Sequence, residues 1–324
     1  MTRPISRRTL LAAATALAAA GPAFAQSYPD RTVRLVVAWD AGGGTDIVAR
    51  YIADAVSRAS GAEIVVENRP GAGGLIGSEQ VAEADADGLT LLFATADSHT
   101  IAPLLRSNLG FDAEADFDPI YLVATLSFSM VARPGLDAST PQDIAALAGE
   151  GDGLTVGTWG VGSTAHIAAE MFNQATGVQL VHVPYQGSAP AINDLQNDQI
   201  DVMFLGPGTV TSSVEAGTMK FIGAASAERI GLAPDFPTMA EQGIEGVEMQ
   251  TWFGLMGPDG IPEEAVAWWE EQMTALMGDP EFLELLRTRG MDPVGEGPEA
   301  FQAYLDGQSE RLGAVIEAAG IAVE

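Results

Sequence analysis

The spacing of apolar positions along this 324-residue chain switches repeatedly between two periods. Short unbroken apolar runs near 33–38, 64–66 and 90–94 are bounded by Gly, Asn or Asp, which is how strands covered on both faces read. Between them apolar residues recur at helical intervals. Ile47, Tyr51, Ala55 and Val56 predict an amphipathic helix over 45–59. A second series of strands is expected near 154–158, 180–183, 201–205 and 221–224, and another at 249–256. Thr140-Pro141-Gln142-Asp143 reads as a helix start, with Thr as N-cap and Pro in the first turn. Thr238-Met239-Ala240-Glu241 has the form of a capping box. The tail reads as helices over 262–277, from Asp279-Pro280, and over 298–319. Strand–helix alternation of this kind predicts an α/β fold with mostly parallel sheets covered on both faces.

One local pattern occurs twice. Val33-Arg34-Leu35-Val36-Val37-Ala38 leads through Trp39-Asp40-Ala41 into Gly42-Gly43-Gly44 and then Thr45-Asp46-Ile47. Thr155-Val156-Gly157-Thr158-Trp159 leads through Gly160-Val161-Gly162 into Ser163-Thr164-Ala165-His166. Each is a strand, a Gly-rich turn and a hydroxyl-bearing helix start. Backbone N–H groups at such a start lack intrahelical partners and suit an anion. Two copies point to a pincer closing on a small anionic molecule.

Composition narrows the chemistry. The chain has no Cys, one Lys (Lys220) and three His, none of them four residues apart. Thiolate chemistry, disulfides, a P-loop and a two-His zinc helix are thereby excluded. No Gly-x-Ser-x-Gly is present, and Ser163 with His166 lacks an evident third partner, so an enzyme is the weakest of the function classes. A formal charge of −29 disfavours nucleic acid and anionic membranes as partners. It does not exclude an anionic ligand, because long-range repulsion is screened over about 8–10 Å in physiological salt while N–H donors act within that distance.

The N-terminus reads as a targeting segment over 1–25. Arg7-Arg8 precedes an Ala-rich apolar run that closes on Ala23-Phe24-Ala25, a small-x-small cleavage site. The paired arginines favour the Tat route over Sec. The run is short and carries Gly21-Pro22, so a membrane span is not expected. The mature chain would begin at Gln26 in the periplasm.

Beyond these signals the chain resembles the periplasmic substrate-binding proteins of tripartite tricarboxylate transporters, the Bug proteins. The resemblance rests on Tyr28-Pro29-Asp30-Arg31-Thr32, on Gly42-Gly43-Gly44-Thr45-Asp46-Ile47-Val48-Ala49-Arg50, and on Val66-Glu67-Asn68-Arg69-Pro70-Gly71-Ala72-Gly73-Gly74. It continues through Gly162-Ser163-Thr164-Ala165-His166, His182-Val183-Pro184-Tyr185-Gln186-Gly187 and Trp252-Phe253-Gly254. It implies a type II periplasmic-binding-protein-like fold: two lobes, each with a central mostly parallel sheet, hinged by two crossover strands. Lobe one would comprise 26–125 and 251–324, and lobe two 126–250. The resemblance also implies a monomer without cofactor or metal that captures a small carboxylate, here expected to be a dicarboxylate, and delivers it to one small and one large membrane subunit. A binding protein that feeds a sensory receptor would look the same in sequence.

The resemblance places candidate ligand contacts in the first Gly loop, at Ala41, Gly42, Gly43, Gly44 and Thr45. It places others in a cleft-lining turn, at Ala96, Ser98 and His99. In lobe two it points to Gly162, Ser163, Thr164, His166, Tyr185 and Leu205. Of Ser163 and Thr164, one must cap the helix and the other is free to donate. His166 can orient the loop, line the cleft or pack; Tyr185 can donate into the cleft or anchor the turn after it. Asp46 is expected to steady the loop and Asp40 to point away. Arg69 or Arg133 would assist if either faced the cleft. Leu205 departs from the acidic residue common in the family and puts an amino-acid ligand in doubt. Trp39, Trp159 and Trp252 are expected either at the cleft or in the core and hinge.

Overall fold

The structure is a computed structural model that describes residues 28–151, 153–185 and 187–321. The expected targeting segment lies outside the described residues. The strands are β1 (Val33–Val37), β2 (Ile64–Asn68), β3 (Thr90–Thr95), β4 (Phe117–Ala132), β5 (Thr155–Thr158), β6 (Val181–Pro184), β7 (Val202–Leu205), β8 (Lys220–Ala225), β9 (Gln250–Pro258) and β10 (Asp292–Glu296). The helices are α1 (Gly44–Ser60), α2 (Leu75–Ala82), α3 (Ala102–Leu105), α4 (Pro141–Ala148), α5 (Thr164–Thr176), α6 (Ser188–Gln196), α7 (Pro207–Glu215), α8 (Glu263–Leu276), α9 (Pro280–Thr288) and α10 (Pro298–Ala319).

Strands run in the order β2-β1-β3-β9-β4-β7-β5-β6, with β8 and β10 also paired to β4. β1 pairs in parallel with β2 and β3, and β5 pairs in parallel with β6 and β7. Each lobe therefore has a parallel trio whose first strand lies in the middle. The crevice at the carboxyl ends of such a trio, where strand order reverses, is the usual ligand position in α/β sheets.

Two antiparallel strands join the lobes. β4 pairs with β9 from Phe117 to Ser127, then with β7 and β8 from Phe128 to Ala132. β9 returns alongside it, with Gln250 opposite Ser127. The two crossings expected from the sequence are thus one hydrogen-bonded ribbon.

Both sheets are covered on both faces, and side-chain alternation sorts the cores. Val33, Leu35 and Val37 enter one cluster with Leu91 and Phe93; Val36 and Ala38 enter the opposite one with Leu92 and Ala94. In lobe two, Met130, Val156 and Phe204 face one core, and Val131, Met203 and Leu205 the other.

Several expectations shift in detail. Helix α1 buries Val48, Ala49, Ile52, Ala53 and Val56; of the expected stripe, Val56 is buried, while Ile47, Tyr51 and Ala55 are half-buried at its margin. Helix α4 begins as expected, with Thr140 and Asp143 capping each other reciprocally. The capping box at Thr238 forms too, through Glu241 N–H to Thr238 Oγ1 at 3.0 Å and Thr238 N–H to Glu241 Oε2 at 2.8 Å. It closes a turn instead of a helix, since Gly243 and Gly246 follow at φ 84° and 81°. The tail, expected to be wholly helical, contains β10 on the edge of β4. Helix α10 packs Phe301 and Leu305 into a lobe-one core, but Leu312 and Ile316 into lobe two.

Candidate functional site

A cleft of about 920 Å³ lies where the carboxyl ends of the two parallel trios meet. Lobe one borders it with Trp39, Asp40, Ala72, Gly73, Leu75, Asp97, Ile101, Ala102, Leu105 and Arg106. Lobe two supplies Trp159, Gly160, Val161, Gly162, Ser163, Thr164, Gly187, Ser188, Ile192, Leu205, Gly206 and Thr209, and the crossing strands supply Phe128 and Thr251. Aromatic and aliphatic groups make the walls, five hydroxyls are interspersed, and the charges are Asp40, Asp97 and Arg106. Among the described residues, no cluster of His, Asp and Glu could hold a metal ion.

The second Gly loop borders the cleft along its length from Trp159 to Thr164. Gly160 and Gly162 adopt φ 130° and 75°, conformations that disfavour any side chain. Ser163 is the N-cap of α5: its Oγ accepts from His166 N–H at 3.3 Å and donates to Gly160 O at 2.8 Å. Capping thus occupies Ser163. Thr164 is the residue free to reach outwards, and its Oγ1 donates to Asp97 Oδ1 at 3.2 Å across the cleft.

His166 orients the loop from behind and does not border the cleft. Its Nδ1 accepts from Gly162 N–H at 3.0 Å, which puts the ring proton on Nε2. The ring stacks on His182 at 3.9 Å between centroids, and His182 Nε2 meets Thr158 Oγ1 at 2.6 Å. Tyr185 is turned away as well: its hydroxyl donates to Asp194 Oδ2 at 2.7 Å. Leu205 and the second-loop residues Gly162, Ser163 and Thr164 are the lobe-two candidates brought together at the cleft.

In lobe one the structure redistributes the candidates. Ala41, Gly42, Gly43, Gly44 and Thr45 do not border the cleft; Trp39 and Asp40 do, so Asp40 does not point away. The reason is Asp46, only 2% exposed, whose carboxylate draws the loop in. It accepts from Gly42 N–H at 2.8 Å, Arg50 Nε at 3.0 Å and Asn68 Nδ2 at 2.8 Å. The helix N-cap is Gly43, with no side-chain cap, so Thr45 does not cap. The loop-one role passes to Ala72 and Gly73, part of a left-handed run from Gly71 to Gly74 that includes Ala72 at φ 49°. Successive N–H groups in such a run form an anion-binding concavity.

Ala96 and Ser98 are 1% exposed and do not reach the cleft. His99 faces the opposite way, into a separate 360 Å³ cavity, its ring packed edge-on to Phe117 at 4.5 Å. The chain leaves β3 in a widened helical turn, Asp97–Ile101, so successive residues point in different directions. Of Ala96, Asp97, Ser98 and His99, only Asp97 faces the cleft, and burial raises its carboxyl above the ordinary carboxylate range. Neither Asp97 nor Arg106 stood among the sequence candidates. A polar residue ending an otherwise apolar stretch, as Arg106 does after Leu104 and Leu105, was the available signal. Arg69 pairs with Glu67, and Arg133 with Asp198 and Asp201, away from the cleft. Trp39 and Trp159 border the cleft, while Trp252 is fully buried.

Burial lowers all three imidazoles, His99 to about 3 and His182 to about 4, the latter also through His166. The folded chain thus keeps them neutral, while the unfolded chain takes up protons near pH 6.5. Their contribution to stability is complete above pH 6.5 and falls as the pH drops towards 4. Melting temperatures followed from pH 7.5 to 4.5 should fall across that window, about where His titrates. His182→Gln should flatten the fall; an unchanged slope would acquit the imidazole pair.

The family model described as "Tripartite tricarboxylate transporter family receptor" matches residues 48–321. Among solved structures, the chain is 34% identical to the periplasmic binding protein BugD, covering 92% of this chain and 100% of that one at a TM-score of 0.77. It is 32% identical to an R. palustris protein solved with adipate, covering 91% and 99% at a TM-score of 0.81. MatC from Rhodopseudomonas palustris, solved with bound malate, is 29% identical, covering 89% and 100% at a TM-score of 0.76.

Proposed function

Because the chain belongs to the tripartite tricarboxylate transporter family of receptors, we propose that it captures a small dicarboxylate in the periplasm and hands it to a small and a large membrane subunit. The lobes would be 26–125 with 251–324, and 126–250, and the chain would work as a monomer exported through its N-terminal segment. Among the described residues no helix is long and apolar enough to cross a membrane.

One observation carries the reading: the cleft combines anion-binding backbone with a cation and hydroxyls inside otherwise apolar walls. The run through Ala72 and Gly73 lies on one side and the α5 N-terminus on the other. Arg106 stands in the lining without a carboxylate partner among the described residues. Trp39, Trp159 and Phe128 can cover a methylene chain between two carboxylates, the last two with ring centroids 5.9 Å apart. The similar R. palustris protein was solved with adipate and MatC with bound malate, dicarboxylates of six and four carbons. A hydrogen bond to a charged group contributes about 1.5–3 kcal/mol, so a few of them reach the ~8 kcal/mol of a micromolar complex.

Thermal unfolding of the mature chain against mono-, di- and tricarboxylates and amino acids tests this. A dicarboxylate at about one hundred times its Kd should stabilise the fold by ~2.7 kcal/mol, seen as a melting point raised by several degrees. A flat response to all carboxylates would refute the reading.

A further inference from the structure

Two imidazoles take part in the hydrogen bonds that shape the second Gly loop, and they do so in opposite senses. Thr158 Oγ1 lies 3.1 Å from Gly160 O, which can only accept, and 2.6 Å from His182 Nε2. Both contacts are satisfied when Thr158 donates to Gly160 O and His182 donates from Nε2. His166 is an acceptor instead: Gly162 N–H donates to its Nδ1 at 3.0 Å, so that nitrogen has to be bare.

The rings therefore differ in what a further proton does. On His182 it enters at Nδ1, and the chain from Nε2 through Thr158 to Gly160 survives. On His166 it also enters at Nδ1, where it meets the Gly162 N–H head-on. Two donors do not stay 3.0 Å apart, so the loop has to move. Gly162 lies in the middle of the stretch from Trp159 to Thr164 that borders the cleft and leads into the α5 N-terminus.

The groups around the ring set the sign. Stacked at 3.9 Å, His166 and His182 cannot readily carry charge together. Glu170 Oε1 stands 3.8 Å from His166 Nε2. Strands β5 and β7, packed on α5, bear no titratable side chain, and α10 meets α5 through Leu312, Ile316 and the Val315 carbonyl. Asp97 reaches the loop from across the cleft through Thr164, and its protonation would favour an anion. An imidazolium at His166 would also attract an anion, but Glu170 offsets that charge, whereas a displaced Gly162 moves the backbone that meets the ligand.

We propose that His166 is a positioning residue whose neutral Nδ1 holds the ligand-binding shape of the second Gly loop, so that acid loosens the receptor's grip on its carboxylate. This rests on the carboxylate reading above and adds a regulation of the same cleft. Burial keeps His166 below its ordinary value of 6.5, so affinity is complete above that pH and falls as the pH drops through the value in the unliganded protein.

Calorimetric titration of the mature chain from pH 7.5 to 4.5 tests it, with succinate, malate or adipate, whichever gives the largest thermal shift. His166→Asn puts an amide oxygen near the place of Nδ1, an acceptor that does not titrate; His166→Leu offers none. The ratio of wild-type to His166→Asn dissociation constants cancels the titration of the ligand and of Asp97. It should rise at least about fivefold across the range, since each pH unit below the unliganded value is worth up to about tenfold. At pH 7.5 His166→Asn should bind more tightly than His166→Leu. Proton NMR of the wild type gives a second reading that needs no substitution, because the chain has three imidazoles to resolve. By reciprocity the ligand must lower the pKa of His166. A constant or falling ratio, or a His166 titration that the ligand leaves unmoved, overturns the proposal and leaves the carboxylate reading standing. Failure of all three diacids to bind at pH 7.5 sinks both.

Discussion

Trp252→Ala is expected to cost about 3–5 kcal/mol of stability, the usual range for truncating a fully buried Trp to Ala. Trp252 is 0% exposed and stands in β9 opposite Thr125 of β4, in the middle of the ribbon that joins the lobes. Its ring meets Phe301 of α10 edge-on at 5.2 Å, and its Nε1–H donates to Thr100 Oγ1 at 2.9 Å. Truncation would open a cavity between ribbon and helix and strand the Thr100 hydroxyl. Urea unfolding followed by circular dichroism measures it. Trp252→Phe separates the two parts, since it keeps most of the ring volume and loses only the hydrogen bond, worth about 1 kcal/mol net. A loss below about 1 kcal/mol for the Ala variant would mean that the ribbon and α10 close over the gap.

Asp46→Ala is expected to destabilise by about 1.5–3 kcal/mol, as for a buried charge-assisted network left without its acceptor. Arg50 is half-exposed, so its ion pair is screened and contributes least. The bonds from Gly42 N–H and Asn68 Nδ2 hold the first Gly loop to β2 and carry most of the effect. Burial alone would push this carboxyl up, but Arg50, Gly42 and Asn68 outweigh burial and hold it below the ordinary range. A depressed carboxyl contributes stability that is fully present above the unfolded value, about 3.9, and disappears as the pH falls through the folded value. Asp46→Asn should therefore be less stable than wild type at pH 7, with the gap narrowing below about pH 4. Urea midpoints across pH provide the check, and a gap that persists in acid would show that charge at this position is not what fixes the loop.

Where local chemistry decides conformation, the sequence was readable. The apolar runs at β1, β2 and β3 are bounded by turn residues, and the Thr140 helix start carries its own cap. The second Gly loop was readable for the same reason, since Ser163 caps the helix that follows it. Legibility ended where distant segments decide. Strand β10 contains Asp292, Pro293 and Gly295, residues poorly suited to a strand interior, and it is a strand because β4 offers an open edge. The first Gly loop looked like its twin, but Asp46 and Asn68 fold it inwards and leave the cleft to Ala72 and Gly73. Asp97 was missed in favour of its neighbours because a helical turn rotates about 100° per residue, and spacing alone does not say which residue faces the cleft. The capping box at Thr238 shows the converse case: correct local chemistry, but glycines downstream that stop a helix.

Helix α10 has one end in each lobe. Phe301 and Leu305 are seated in lobe one, Leu312 and Ile316 in lobe two, and Arg311 Nη1 donates to Glu248 O just ahead of β9. Two bodies joined at one place can swing about any axis through it. Joined at two separate places, by a ribbon and a rod, they retain rotation about the line through both. The rod makes the receptor a mechanism with close to one degree of freedom, and its axis is set by where the rod is seated.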